Sequence, residues 1–258
     1  MPRVLRRSVL LTFDNLGEAA DLERDLPPPA AVGEHPSVTV ALPAILELLR
    51  ALSLPATFFV EGINAELYPD AVRAIVAGGH EVGLHAWRHE RWSDLAPAEE
   101  DELLERSIAA FAQLDVAVEG FRPPGGEIGP RTMRKLAAHG LRWCSPVGDR
   151  PCRSEGVAVL PFRWTLVDAY HRMESFADLR RSMGDAAAPR SASATADALL
   201  EELRAADDDP VVVILHPFLV VDEAARAEAE RVLRRVAEQV AAGERWVATG
   251  RELAPRVG

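Results

Sequence analysis

Hydrophobic residues along this chain follow two patterns that alternate from one end to the other. Short apolar runs, rich in β-branched and aromatic residues, are followed by longer segments in which apolar residues recur every three or four positions. The first pattern is typical of buried strands and the second of amphipathic helices, so together they predict a parallel sheet wrapped by helices. The predicted strands are residues 8–14, 56–61, 81–85, 120–122, 141–145, 157–161, 211–216 and 246–249.

The number of these strand-and-helix units predicts how the sheet is arranged. Helical spacing is clearest at residues 42–49, 104–111, 133–137, 199–203 and 232–240. An α/β chain with this many units favours a closed or nearly closed (β/α) barrel of about seven or eight strands. No repeat or linker divides the chain, so we expect one catalytic domain over residues 1–258. Two polar segments, 15–36 and 168–195, are expected to be irregular, and each follows a predicted strand.

Composition narrows the choice of partner. The formal net charge of −11 argues against nucleic acid or an anionic membrane surface and leaves a small-molecule substrate. No apolar stretch approaches the ~20 residues needed to cross a bilayer. The basic residues 1–7 precede an apolar run that is too short for a signal peptide and has no small-residue cleavage site. We therefore expect a cytoplasmic protein, and its two cysteines are expected to be free thiols.

Polar side chains end several of the predicted apolar strands. Asp14, His85 and His216 are each the last residue of such a strand, and Arg122 follows Gly120 and Phe121. Burying a charged or imidazole side chain is costly unless it is paired or bound. Because the carboxyl ends of barrel strands meet at one face, these residues predict a single pocket there.

Taken one at a time, these residues have ordinary alternatives. His85 and His89 are four residues apart and can present two imidazoles to one metal ion, but such spacing also arises by chance, and zinc needs a third protein ligand. Asp14 is equally suited to be a helix N-cap. His216 fits a hydrogen-bonded core histidine as well as a catalyst. It is the combination that favours a site.

Four segments together resemble the successive motifs of the polysaccharide deacetylase family. TFDN at 12–15, HAWRHE at 85–90, RPPGG at 122–126 and LH at 215–216 are similar to T-F-D-D, H-x-x-x-H, R-x-P-x-G and L-x-H. The resemblance runs from residue 8 to about residue 217. Its details are similar to the cytosolic branch of that family, which holds peptidoglycan-deacetylase-like and allantoinase-like members. That branch implies a deformed barrel and a homotetramer.

The resemblance also implies a role for each motif residue. Asp14 matches the general base that activates water, and Arg122 matches the residue that orients the base. His85 and His89 match the imidazoles that bind a metal, usually Zn²⁺ or another divalent ion. His216 matches the general acid that protonates the leaving amine. The set is chemically coherent, because a metal can polarise the amide carbonyl while the leaving nitrogen needs a proton.

The chain departs from the family where the third metal ligand is expected. Family members place a second carboxylate one or two residues after the base, and those positions hold Asn15 and Leu16 here. Asn15 can offer only a neutral oxygen, so as the third ligand it predicts weak or absent metal binding. Glu18 is near enough in the sequence to be another source of a carboxylate.

Three functions are compatible with these features. The first is a hydrolase of a non-peptide C–N bond, either an N-deacetylase of an N-acyl sugar or an enzyme that opens a cyclic amide or ureide. The alternative is a relative with a degenerate metal site that catalyses metal-free acid–base chemistry on a small metabolite. The third is a binding module that keeps the fold without catalysis. The placement of ionisable residues at strand ends favours the first.

Overall fold

Strands and helices alternate along the chain, as the hydrophobic pattern predicts. The computed structural model describes residues 5–206 and 210–258, so the first four residues of the basic segment lie outside the described part. Nine strands occur within those ranges. They are β1 Ser8–Asp14, β2 Thr57–Val60, β3 Glu81–Leu84, β4 Gly120–Phe121, β5 Trp143–Cys144, β6 Cys152–Ser154, β7 Val157–Val159, β8 Val211–Leu215 and β9 Trp246–Val247.

The helices vary from single turns to a helix of 19 residues. No described helix is apolar over a length that would carry it through a bilayer. The α-helices are α1 Ala19–Glu23, α2 Leu42–Leu52, α3 Ile63–Leu67, α4 Pro69–Ala77, α5 Pro97–Ala112, α6 Thr132–Ala138, α7 Asp168–Arg172, α8 Ala177–Ser182, α9 Ala192–Ala205, α10 Glu223–Ala241 and α11 Gly250–Leu253. A π-helical turn at Ser37–Ala41 leads directly into α2.

The sheet curls into a barrel that does not close by regular strand pairing. Its strand order is β6-β7-β5-β4-β3-β2-β1-β8, and β9 pairs with the start of β1. All pairs are parallel except β6 with β7. The ends of this strand order are β6 and β8. An isolated bridge joins Ile214 of β8 to Val167, which lies between β7 and β8 in the chain and belongs to no described strand. The architecture is therefore a deformed (β/α) barrel, and the predicted fold is confirmed.

The alternation of side chains in β1 shows how the core is divided. Leu10 belongs to the interior cluster together with Phe59 and Ile214, whereas Leu11 belongs to the larger cluster between the sheet and the helices. Successive side chains of a strand point to opposite faces. Asp14 is an even number of residues from Leu10, so it faces the barrel interior at the carboxyl end of the strand.

The structure differs from the sequence prediction in three ways. Every predicted strand after the first ends one or two residues earlier than predicted, so that His85, Arg122 and His216 follow their strands. β6 was not predicted, because its residues are not buried and show no apolar pattern. The segments expected to be irregular contain α1, α7 and α8. Within 168–195 the buried Arg180 donates hydrogen bonds to the carbonyls of Met173 and Ala187, which a hydrophobic pattern does not reveal.

Candidate active site

Strand register places Asp14 beside His216. Phe13 of β1 is the partner of Leu215 in β8, so the next residues, Asp14 and His216, are neighbours across the same pair of strands. Adjacent strands lie ~4.8 Å apart, and in-register residues of a parallel pair project to the same face. Both side chains are buried, at 4% and 7% exposure. A predicted base and a predicted acid therefore share the carboxyl end of the barrel.

Arg122 crosses the barrel interior to hold Asp14. Its Nη1 lies 2.7 Å from Asp14 Oδ1 and 2.7 Å from the hydroxyl of Thr12, and its Nη2 donates to Ser145. The guanidinium carbon lies 4.1 Å from the centroid of the Phe59 ring. Asp14 is bound by a buried cation, and the next helix, α1, has Glu18 as its N-cap residue. The N-cap alternative for Asp14 is therefore wrong.

Asp168 holds His216 in the same way, and the sequence analysis did not place it in the site. Its Oδ1 lies 2.5 Å from His216 Nδ1, and its Oδ2 accepts the backbone N–H of His216 at 2.8 Å. Burial opposes charging of this imidazole, but the charge and hydrogen bond of Asp168, together with the charge of Asp14, raise the pKa of His216 above its ordinary value. The imidazolium is thereby favoured, as a general acid requires.

A signal for Asp168 was present in the sequence. The residue follows the apolar pair Leu166 and Val167, and Val167 forms the isolated bridge to β8. Asp168 is thus a charged residue after an apolar run, the same criterion that identified Asp14. The run is too short to be distinguished from a loop, and it adjoins a segment predicted to be irregular, so the hydrophobic pattern alone does not identify Asp168 as a site residue.

His85 and His89 are brought together by a tight loop. The rings are 4.9 Å apart between centroids, and the chain turns through left-handed conformations at Ala86 and at His89 itself (φ 59° and 74°). Glu90 steadies the loop by accepting the backbone N–H groups of Trp87 and Arg88. The two imidazoles therefore meet without lying on a helix.

The protonation and orientation of these histidines suit a metal ligand. Nδ1 of His85 lies 2.8 Å from the carbonyl oxygen of Arg122, so Nε2 is left for the site. Burial, with smaller effects from the charges of Arg122 and His216, lowers the pKa of His85 to about 3, although the hydrogen bond to the Arg122 carbonyl acts in the opposite direction. Burial also places the pKa of His89 well below its ordinary value. Both rings are therefore neutral at physiological pH, the form that binds a metal.

The positions expected to supply the third ligand are occupied in different ways. Asn15 adopts a left-handed conformation (φ 62°), and its buried Oδ1 has no hydrogen-bond partner. Both carboxylate oxygens of Glu18 are engaged, one by the Gly33 N–H at 2.7 Å and the other by the Tyr68 hydroxyl at 2.5 Å. Glu18 anchors the loop that follows β1, and it is not placed to bind a metal.

A second carboxyl group that the sequence analysis missed lies beside this segment. Glu61 is fully buried directly after β2, and its Oε2 accepts hydrogen bonds from the Leu16 N–H at 3.3 Å and from Asn64 at 2.9 Å. Its Oε1 has no partner. Burial, reinforced by the charge of Asp14, raises the pKa of Glu61 well above its ordinary value. Residue 61 ends a predicted apolar strand, so the criterion used for Asp14 also identifies it.

The donors present fit a divalent metal in kind. Two neutral imidazoles and two buried, unpartnered oxygens, on Asn15 and Glu61, lie at the carboxyl ends of β1, β2 and β3. Nitrogen and oxygen donors of this type bind zinc and similar ions. Among residues 5–206 and 210–258, no three His, Cys, Asp or Glu side chains already converge on one point. Binding an ion therefore requires the donors to close around it.

Comparison with known proteins identifies the family. Residues 3–144, more than half of the chain, match the family model of polysaccharide deacetylases. The chain belongs to the polysaccharide deacetylase family. It is similar to the peptidoglycan deacetylase of Helicobacter pylori, with 31% identity over 105 residues, or 40% of this chain and 36% of that protein. The chain thus spans about a third of the length of that relative.

Solved structures share the fold. The crystal structure of a polysaccharide deacetylase homologue from Mycobacterium smegmatis has a TM-score of 0.82 at 24% identity, over 98% of this chain and 91% of that one. An allantoinase has a TM-score of 0.69 at 19% identity, over 97% and 90%. Both identities are below the level that carries function, so these similarities support the architecture only.

Proposed function

We propose that this protein is a hydrolase that removes the acyl group from an N-acylated amine, with an N-acetylated sugar as the substrate class. The observation that carries the proposal is the pairing of two prepared groups on neighbouring strands. Arg122 holds the carboxylate of Asp14, and Asp168 favours the charged form of His216. A carboxylate and an imidazolium in one cavity are a base and an acid ready for amide hydrolysis.

The reaction follows from these positions. Asp14 takes a proton from a water molecule as the water oxygen attacks the acyl carbon, which gives a tetrahedral intermediate. His216 then donates its Nε2 proton to the amide nitrogen, since Nδ1 faces Asp168. The C–N bond breaks, releasing the amine and a carboxylic acid. A divalent metal held by His85 and His89 would supply Lewis-acid polarisation of the acyl carbonyl.

A second function is favoured by a specific observation. Asp14 with Arg122 and His216 with Asp168 form a complete acid–base arrangement in which no member depends on a metal ligand. The carboxylate that family members place after the base is replaced by Asn15. A metal-free reaction on a small cyclic amide or ureide is therefore the alternative to deacetylation.

The proposal is tested by measuring acetate release from N-acetylglucosamine oligomers and from peptidoglycan fragments, with and without added Zn²⁺. We expect turnover by the wild type and its loss in Asp14→Asn. The exposed Asp70→Asn, which removes a carboxylate that forms a surface ion pair with Arg73, is the matched control. Unchanged turnover in Asp14→Asn contradicts the proposal. Opening of a cyclic ureide by metal-stripped protein, with no acetate release, favours the alternative.

A further inference from the structure

We infer that Glu61 supplies the carboxylate ligand of a divalent-metal site that it forms with His85 and His89, in place of the carboxylate absent at Asn15, and that its carboxyl proton is released to solvent as the ion binds. Glu61 belongs to none of the four family motifs. The inference deepens the proposed function, because it concerns the same site, but metal binding can be measured without any turnover.

The first argument is strand register. Val60 of β2 is the partner of Leu84 in β3, so the next residues, Glu61 and His85, are lateral neighbours. The backbone N–H of His85 donates to the Val60 carbonyl at 3.0 Å, which continues the register past the strand ends.

Both side chains also project to the same face. A Cβ atom at Gly83 would lie 2.8 Å from the ring of Phe59, so these two positions face the same side of the sheet. Gly83 is two residues before His85, and Phe59 is two residues before Glu61. Side chains two apart on a strand share a face. Phe59 is part of the barrel interior, so Glu61 and His85 point inward side by side.

The second argument is an unsatisfied oxygen. Glu61 is 0% exposed, and its Oε1 accepts no hydrogen bond. A buried carboxyl oxygen without a partner is costly, and such groups in folded proteins usually bind an ion or water. The other oxygen is fixed by Leu16 and Asn64, so the carboxyl plane is already oriented. A cation at Oε1 would satisfy it.

The third argument is that the neighbouring carboxylates are committed elsewhere. Asp14 is bound to Arg122, Asp168 is bound to His216, and Glu18 is bound to Tyr68 and to a backbone N–H. Asp168 and Glu18 have both oxygens engaged, and Asp14, which gives one oxygen to Arg122, is the proposed base. Among the described residues at this end of β1, β2 and β3, Glu61 is the carboxyl group left to act as a ligand. Zinc sites take three protein ligands, so the histidine pair needs one more. Glu61, His85 and His89 do not converge on one point in the structure, so the Glu61 carboxyl group has to turn towards the two imidazoles as the ion binds.

The test is direct metal binding by the full chain. Metal-stripped protein is titrated with Zn²⁺ by calorimetry and with Co²⁺ by visible absorption, and folding of each variant is checked by circular dichroism. We expect one ion per chain in the wild type. Glu61→Gln, which keeps the shape but cannot become a carboxylate when the ion binds, should weaken binding about tenfold or more. Glu18→Gln, a buried glutamate whose oxygens are both engaged, is the matched control and should bind as the wild type does.

A rescue variant separates the ligand role from a structural one. Adding Asn15→Asp to Glu61→Gln should restore affinity, because it returns a carboxylate to the position that family members use. Wild-type affinity in Glu61→Gln, or a folded wild type that binds neither ion, overturns the inference. If Glu61→Gln does not fold, Glu61→Asp replaces it, and an unchanged Co²⁺ spectrum in that variant overturns the inference equally. Tight binding without acetate release leaves the inference standing while the proposed function fails.

Discussion

Replacing Asp168 by Asn tests the assignment of His216 as the general acid. Asp168 accepts three hydrogen bonds, from Nδ1 and the backbone N–H of His216 and from the backbone N–H of Ala169 at 2.6 Å. An Asn side chain keeps one acceptor oxygen and places an NH₂ group where the second oxygen was. The variant therefore removes the charge beside the imidazole with almost no change in volume.

The expected change in pH dependence follows from the sign of the shift. The charge and hydrogen bond of Asp168 raise the pKa of His216, so the imidazolium persists to higher pH than in a free histidine. A general acid works only when protonated, so turnover falls as pH rises through this pKa. Removing Asp168 lowers the pKa of His216 and moves the alkaline limb of the pH–rate profile to lower pH.

The magnitudes can be bounded. Positioned general acid–base catalysis contributes about 10²–10⁴-fold, so kcat at neutral pH should fall within that range while KM changes little. A lost hydrogen bond to a charged group costs about 1.5–3 kcal/mol. For a chain of this size that corresponds to a decrease in Tm of roughly 3–12 °C.

Linkage adds a second test of the same pair. Because folding raises the pKa of His216, the protonated imidazole stabilises the folded state. This stabilisation is complete below the pKa of about 6.5 in the unfolded state, and it is lost as the pH rises through the pKa in the folded state. The stability difference between wild type and Asp168→Asn should therefore be larger at about pH 6 than at about pH 9.

The assay is acetate release as a function of pH, together with thermal denaturation. The control is Asp185→Asn. The Asp185 carboxylate lies in the same segment as Asp168 and accepts a hydrogen bond from the Tyr170 hydroxyl at 2.6 Å. That variant should lose stability without moving the alkaline limb. An alkaline limb in Asp168→Asn that coincides with the wild-type limb would refute the assignment of His216 as the acid.

Three further predictions concern the other residues of the site. Arg122→Ala should lower kcat more than it weakens substrate binding, because its partner is the base; a change in KM alone, from steady-state kinetics, would count against this. Asn15→Asp should tighten Zn²⁺ binding in a calorimetric titration, and unchanged affinity would show that residue 15 points away from the ion. Glu18→Gln should lower Tm, since the Tyr68 hydroxyl loses a charged acceptor; a Tm equal to that of the wild type would contradict the anchoring role.

The sequence alone determined the fold class and pointed to most residues of the candidate site. Apolar runs of strand length alternate with segments of helical spacing, and both bury their apolar residues when helices cover a sheet. The fold class therefore follows from the local hydrophobic pattern. Asp14, His85 and His216 were identified because a polar side chain at the end of a buried apolar strand is costly unless it is paired or bound. The same criterion, applied without exception, would have found Glu61.

Only the tertiary structure decided which of these groups act together. The partners of Asp14 and His216 are 108 and 48 residues away in the chain, and local pattern carries no information about contacts over such separations. Glu18 was a reasonable ligand by its position in the sequence, yet Tyr68 engages it in the folded chain. Register, set by backbone hydrogen bonds between distant strands, is what places Glu61 beside His85.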